Sequence, residues 1–73
     1  MRVRYDPGAD ALYIRLEETP IANSAEVSPG LVLDYDAAAR VVGIEVLDAA
    51  RRLTGADLRR IQFEVSERAD ASG

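Results

Sequence analysis

Hydrophobic and polar residues alternate with a period of two in the N-terminal part of this chain. Residues 1–6 alternate in this way, and residues 10–17 do so again after Pro7-Gly8. Such alternation is typical of half-buried β-strands, and proline followed by glycine favours a turn because proline presets φ and glycine accepts positive φ. We therefore predict a β-hairpin. Its apolar side consists of Val3, Tyr5, Leu12, Ile14 and Leu16.

Residues 31–47 form a second predicted hairpin, and the pattern selects the register of its two strands. Pairing Leu33 with Ile44 and Tyr35 with Val42 places six apolar residues on one face. A slip of one residue would set charged or glycine positions opposite them, so this register is strongly favoured. The apolar side of this hairpin consists of Leu31, Leu33, Tyr35, Val42, Ile44 and Val46.

The rest of the chain contains weaker patterns that predict three further elements. Residues 25–27 are expected to form a short strand. Thr54 and Asp57 fit a capping box, which predicts a short helix over residues 55–60. Residues 61–66 again alternate apolar with polar, which predicts a final strand.

These elements predict an α+β fold, a small curled antiparallel β-meander of five or six strands with one short C-terminal helix. Residues 1–67 are expected to form a single domain, and residues 68–73 a disordered tail, because the tail is small and polar. The predicted core is Val3, Tyr5, Leu12, Ile14, Leu16, Leu33, Tyr35, Val42, Ile44, Val46, Leu58, Ile61 and Phe63.

Composition removes several classes of function. The chain of 73 residues has a formal net charge of −4 and contains neither cysteine nor histidine. Disulfides and thiolate sites are therefore excluded, and the commonest general base and zinc ligand is missing. All nine basic residues are arginines scattered among carboxylates, which disfavours nucleic acid and anionic membranes as partners. With no apolar leader or membrane-length apolar run visible, we expect a cytoplasmic protein.

Four segments, taken in their order along the chain, resemble the pattern of a known family. They are residues 5–14, with the Tyr-Asp-Pro turn and the Ala-Asp-Ala-Leu-Tyr-Ile strand, 24–27, 34–36 and 42–47. They resemble a family of short prokaryotic proteins known as domain of unknown function 2283, and the likeness extends over about residues 1–53. The chain departs from that family's pattern at Ala39, where a turn glycine is usual, and at Ala50, where a serine is usual. If position 39 needs positive φ, alanine costs about 1 kcal/mol there.

The resemblance implies no established activity. Relatives of this kind are often encoded beside small toxin-like proteins, so it implies an antitoxin-like or protein-interaction role by association only. Because Ala50 lacks a hydroxyl, a nucleophile at that position is not expected in this chain.

Carboxylates are the only candidate chemistry. Asp34 and Asp36 lie on one side of a predicted strand, about 7 Å apart, which is too open for a closed calcium or magnesium site. Asp36 and Asp6 are expected instead to accept hydrogen bonds from turn amides. Glycoside hydrolysis by Asp34 and Glu45 would need a deep cleft, which so small a sheet does not offer. We therefore predict no catalytic residue, no cofactor and no bound metal.

Two hypotheses about function remain. The first is a non-enzymatic protein-interaction module, either a homodimer or the antitoxin-like partner of a small protein encoded nearby, which binds neither nucleic acid nor membrane. The alternative is a domain that binds a small ligand or a divalent metal through turn carboxylates. The predicted interaction face lies on the outer side of the sheet and consists of Tyr13, Arg15, Val32, Asp34, Val41, Glu45 and Leu47.

Overall fold

A computed structural model describes residues 1–55 and 57–67 of the chain. Five antiparallel strands form one sheet in the order β1-β2-β5-β4-β3, and one short helix follows it. The predicted fold class is confirmed. The elements are β1 (Arg2–Asp6), β2 (Ala11–Arg15), β3 (Asn23–Ser28), β4 (Leu31–Tyr35), β5 (Val41–Leu47) and α1 (Ala49–Arg52).

The two predicted hairpins, β1–β2 and β4–β5, join edge to edge. Strand β5 pairs with both β2 and β4, so the sheet is not ordered strictly along the chain. The connection after β2 carries the chain to the far edge, where β3 pairs with β4 alone. The guanidinium of Arg15 fixes the start of this connection by donating to the carbonyl oxygens of Glu17 and Thr19.

The register of β4 and β5 agrees with the prediction at Leu33–Ile44 but shifts at the end of the hairpin. Tyr35 pairs with Val41, not with Val42 as the alternation suggested, because β5 contains a bulge. The carbonyl of Val42 turns toward the neighbouring strand and accepts the amide of Leu16 over 2.7 Å. The extra residue is therefore used to hold the end of β2, and its side chain is fully buried.

The helix lies closer to the N-terminus than predicted. It spans Ala49–Arg52 rather than residues 55–60, and Thr54 lies in a turn. Asp10 sets its start, because its backbone carbonyl accepts the amide of Ala49 and its carboxylate accepts the amide of Ala50, each over 3.0 Å. This contact joins positions far apart in sequence, so no local capping pattern announces it.

The predicted last strand is wrong. Residues 61–66 belong to no strand, and Ile61 and Phe63 are 64% and 72% exposed instead of lying in the core. Alternation makes a segment compatible with a strand, but pairing also needs a sheet edge within reach in the right direction. Ala56 lies outside the described residues, as does the predicted tail, residues 68–73.

The fold is one layer deep. Among the described residues, only Val42 and Ala49 are fully buried apolar side chains. Leu58 and most strand residues predicted for the core are half-buried, and Val3 is 41% exposed. An apolar side of the sheet therefore exists as predicted, but residues 1–55 and 57–67 do not cover it with a second layer.

Candidate functional site

The sheet collects the charged residues of its strands on one face. Paired residues share a face, and the register aligns Arg2, Arg15, Gly43, Asp34 and Ser24 in one row across all five strands. The next row on this face contains Arg4, Tyr13, Glu45, Val32 and Glu26. With Asp6, these rows hold all seven charged residues of the strands. We call this side the charged face and the other side the apolar face.

Six of the seven predicted interaction residues lie on the charged face. The exception is Val41, which pairs with Tyr35 and so belongs to the opposite side, because the bulge at Val42 changes its parity. The six are Tyr13, Arg15, Val32, Asp34, Glu45 and Leu47. This side therefore carries the charges of the strands together with a few apolar side chains, among them Val32 and Leu47.

Asp34 is the centre of the charged face. Its carboxylate is 8% exposed and accepts the hydroxyl of Ser24 over 2.6 Å and the hydroxyl of Tyr13 over 3.0 Å. Gly43, on the strand between them, leaves the space that these side chains fill. A Cβ there would lie 2.7 Å from the Tyr13 hydroxyl oxygen and 2.9 Å from Asp34 Oδ2. The absence of a side chain at position 43 thus permits the network.

Arg15 supports this network from the other side. Its Nη1 lies 3.4 Å from the Tyr13 hydroxyl oxygen, which accepts a hydrogen bond while donating its own proton to Asp34. The result is a chain of polar groups from an arginine to a buried carboxylate. Since both Asp34 oxygens already have donors, this carboxylate is bound within the sheet and is poorly placed to act as a catalytic base.

A depression of about 410 Å³ lies beside this network. It mixes the cation of Arg4 with the carboxylates of Asp6 and Glu45. Such a surface suits polar contacts, but opposite charges in one small space do not select one class of ligand. The complete lining is Arg4, Asp6, Ala9, Ala11, Tyr13, Asp34 and Glu45.

Asp36 caps the turn between β4 and β5, as predicted. Its Oδ1 accepts the amides of Ala38 and Arg40, each over 2.9 Å, and its Oδ2 pairs with the Arg40 guanidinium at 2.8 Å. The pKa of Asp36 lies below its ordinary value, chiefly because the Arg40 amide donates to its carboxylate. Desolvation opposes this shift, whereas the Arg40 side chain and the Ala38 amide add to it. Ala39 in the same turn has φ of 64°, so position 39 does require the left-handed region.

The first hairpin contains two structural carboxylates. Asp6 accepts the amides of Gly8 and Ala9 over 2.9 and 3.2 Å, which confirms its predicted turn role. Asp10 accepts the Tyr5 hydroxyl over 2.7 Å and the Ala50 amide over 3.0 Å. The Tyr5 hydrogen bond is the main cause of a lowered pKa of Asp10 and, reciprocally, of a raised pKa of Tyr5.

Sequence reasoning missed the structural roles of three positions. Ser24 and Gly43 complete the Asp34 network, and Asp10 joins the first hairpin to α1. The predicted register did place Asp34 opposite Gly43, and that pairing is observed, so a carboxylate facing a glycine was the available signal. The contact of Asp10 with Ala50 depends on tertiary structure and had no local signal.

In residues 1–55 and 57–67, no group of three or more carboxylates, histidines or cysteines is arranged to hold a metal ion. The same part of the chain contains no helix with the length and hydropathy needed for a bilayer crossing. The predicted cytoplasmic location stays a prediction.

The apolar face is a second candidate contact surface. No charged residue of the five described strands lies on it, because all of them fall on the other side. Its large side chains are partly accessible. They are Val3, Leu12, Ile14, Leu31, Leu33, Ile44 and Val46.

Comparison with known proteins identifies a family but no function for it. Searches of curated proteins and of solved structures found no match. A family model described as a protein of unknown function, DUF2283, matches residues 2–49, which include every strand and the start of α1. This chain therefore belongs to the DUF2283 family.

Proposed function

We propose that this protein is a non-enzymatic interaction module that self-associates through the apolar face of its sheet. The observation that carries the proposal is the partly accessible apolar face of the sheet, over which the described part of the chain places no second layer. A sheet with one hydrophobic side gains stability by burying that side against another element. Contiguous apolar surface left on one chain is typical of a contact with another protein.

The chain's own helix is too small to cover this face. Five strands spaced at about 4.8 Å make a sheet roughly 19 Å across. Four residues of helix extend only about 6 Å. Ala49 is the one buried residue of α1, and its amide donates to the Asp10 carbonyl beside the β1–β2 turn, which supports a contact of the helix with that end of the sheet alone. In this proposal a partner supplies the cover that the described residues do not.

A second copy of this chain is the partner that the charge distribution favours. The apolar face can meet its own copy without bringing like charges together, because the strands' charges all lie on the opposite side. Two such sheets would pack at about 10 Å, as in a β-sandwich, with the charged faces outward. A symmetric contact of this kind uses one surface twice, which is the commonest arrangement of soluble dimers.

Two adjacent residues of β4 give a matched test. Leu33 lies on the apolar face and Val32 on the charged face, and both are half-buried. Leu33→Thr introduces a β-branched residue, which favours strands, but removes apolar area, so association should weaken roughly tenfold or more. Val32→Thr should leave association unchanged. The readout is the dissociation constant measured by dilution in an analytical ultracentrifuge.

Thermal unfolding supplies a measurement that needs no variant. For a chain stabilised by self-association, the melting temperature rises with chain concentration, whereas that of a monomer does not. A concentration-independent melting temperature, or equal effects of Leu33→Thr and Val32→Thr on association, would contradict the proposal. A monomer that forms a stable complex with the small protein encoded beside it would favour the antitoxin-like role instead.

A further inference from the structure

The segment after the helix carries apolar side chains that have no place in its own sheet. Ile61, Phe63 and Val65 are 64%, 72% and 81% exposed. They alternate with polar residues across residues 61–66, and this segment belongs to no strand of the described sheet. A short extended sequence of this kind is suited to adding a strand to the free edge of another sheet.

The sheet offers two free edges, β1 and β3, since these strands end the strand order. Strand β3 is the poorer acceptor. Its pairing is irregular between Glu26 and Ser28, and such irregularity disrupts a hydrogen-bonding edge. Pairing that keeps apolar residues on one side would also set Glu64 opposite Ser24 or Glu26, neither of which carries positive charge.

Strand β1 matches the segment in both apolarity and charge. Val3 and Tyr5 lie on the apolar face, while Arg2 and Arg4 lie on the charged face. An antiparallel strand that places Phe63 beside Tyr5 puts Glu64 beside Arg4 and Val65 beside Val3. Aromatic pairs and opposite charges across strands each stabilise a sheet.

The ion pairs already present favour this register over its neighbour. A shift by two residues would put Glu64 beside Arg2, which already pairs with Glu18 at 2.7 Å. Arg4 forms no ion pair with any residue in the described part of the chain. Glu64 therefore gains more beside Arg4.

We infer that residues 61–66 of one copy add an antiparallel strand to β1 of a second copy, with Phe63 beside Tyr5 and Glu64 beside Arg4. This inference rests on the self-association proposed above and identifies a second contact between the same two chains. In the structure the segment leaves its own sheet and its own β1 edge remains open. Exchange between two copies would bury both features at once.

The cysteine-free chain allows a direct test by disulfide trapping. In the inferred register Arg2 and Ser66 lie opposite each other, and opposed strand residues have the Cα separation that a disulfide needs. A full-length chain with Arg2→Cys is mixed with a full-length chain carrying Ser66→Cys and oxidised gently. The control mixture replaces the first chain by one with Ser28→Cys on the other edge. We expect the mixed disulfide to form faster with Arg2→Cys than with Ser28→Cys.

Charge reversal checks the register. Glu64→Arg in the Ser66→Cys chain should slow trapping about three- to fivefold, and Arg4→Glu in the Arg2→Cys chain should restore it. Equal rates of disulfide trapping at both edges would overturn the inference. So would a chain carrying both Arg2→Cys and Ser66→Cys that forms only the disulfide within one chain. If the protein is dimeric and gives either of these results, only the strand exchange is contradicted. If the protein stays monomeric, the proposed self-association is contradicted as well.

Discussion

Tyr13 and Asp34 belong to strands that do not pair with each other, yet their side chains meet across the strand between them. The Tyr13 hydroxyl on β2 donates to Asp34 on β4 over 3.0 Å, and the contact passes over Gly43 of β5. This bridge ties the two hairpins together on the charged face. It also explains why a glycine stands in the middle of a central strand, where its lack of a side chain would otherwise weaken the sheet.

Gly43→Ala should destabilise the protein. The new Cβ would lie within 3 Å of both the Tyr13 hydroxyl oxygen and an Asp34 oxygen, so one of these side chains must move. We expect a loss of about 1–3 kcal/mol in the free energy of unfolding, measured by urea denaturation. Gly55→Ala is the control, since nothing lies within 4 Å of a Cβ at that position, and it should change stability by less than about 0.5 kcal/mol.

A double-mutant cycle tests whether the bridge is the cause. Tyr13→Phe removes the oxygen that the new methyl group would meet. Gly43→Ala should therefore cost less in the Tyr13→Phe background than in the natural sequence, because the two positions are in contact. Strict additivity of the two changes would show that crowding at Tyr13 is not what makes residue 43 a glycine.

Ala39→Gly should stabilise the protein. Ala39 has φ of 64°, a region that costs an L-residue roughly 1 kcal/mol and that glycine adopts freely. We expect a higher melting temperature and a gain of about 0.5–1 kcal/mol. Ala38→Gly in the same turn is the control. The φ of Ala38 is not positive, so glycine relieves no strain there. Glycine also makes the unfolded chain more flexible, so this variant should be less stable. A loss of stability in both variants would contradict the assigned strain.

Acid should unfold the protein partly through Asp36. The pKa of Asp36 is lowered in the folded state, chiefly by the Arg40 amide, so the unfolded chain binds the proton more tightly. The stability that Asp36 contributes is therefore present above the ordinary aspartate pKa of about 3.9 and is lost as the pH falls through the lower folded value.

Asp36→Asn isolates this contribution. It keeps an oxygen acceptor for the turn amides but removes the titrating group and the ion pair with Arg40. The variant should be less stable near neutral pH, and its melting temperature should fall less steeply between about pH 5 and pH 2. Asp57→Asn, outside the sheet, is the control and should keep the slope of the natural protein. An unchanged slope in Asp36→Asn would refute the assignment.

The alternation of side chains was enough to predict the four strands of the two hairpins, because a period of two fixes which residues share a face. It placed Leu33 opposite Ile44 and Asp34 opposite Gly43 correctly. The predicted register failed at Val42, because the bulge there depends on a hydrogen bond with the neighbouring strand. The donor of that bond is the amide of Leu16, which lies on another part of the chain.

Two other failures have the same origin. Residues 61–66 have the pattern of a strand but no partner strand in their own sheet, and a pattern specifies the face of a strand rather than its neighbour. The start of α1 depends on Asp10, forty positions away from Ala50. The polar network of Asp34 was partly visible in the predicted register, whereas its closure by Ser24 required the position of β3.

Sedimentation equilibrium of the unmodified 73-residue chain shows whether the apolar face acquires a second layer from another copy or stays in water. We expect a mass twice the 7.9 kDa of one chain at micromolar concentration, with dissociation on dilution. A mass of one chain throughout the concentration series would contradict it.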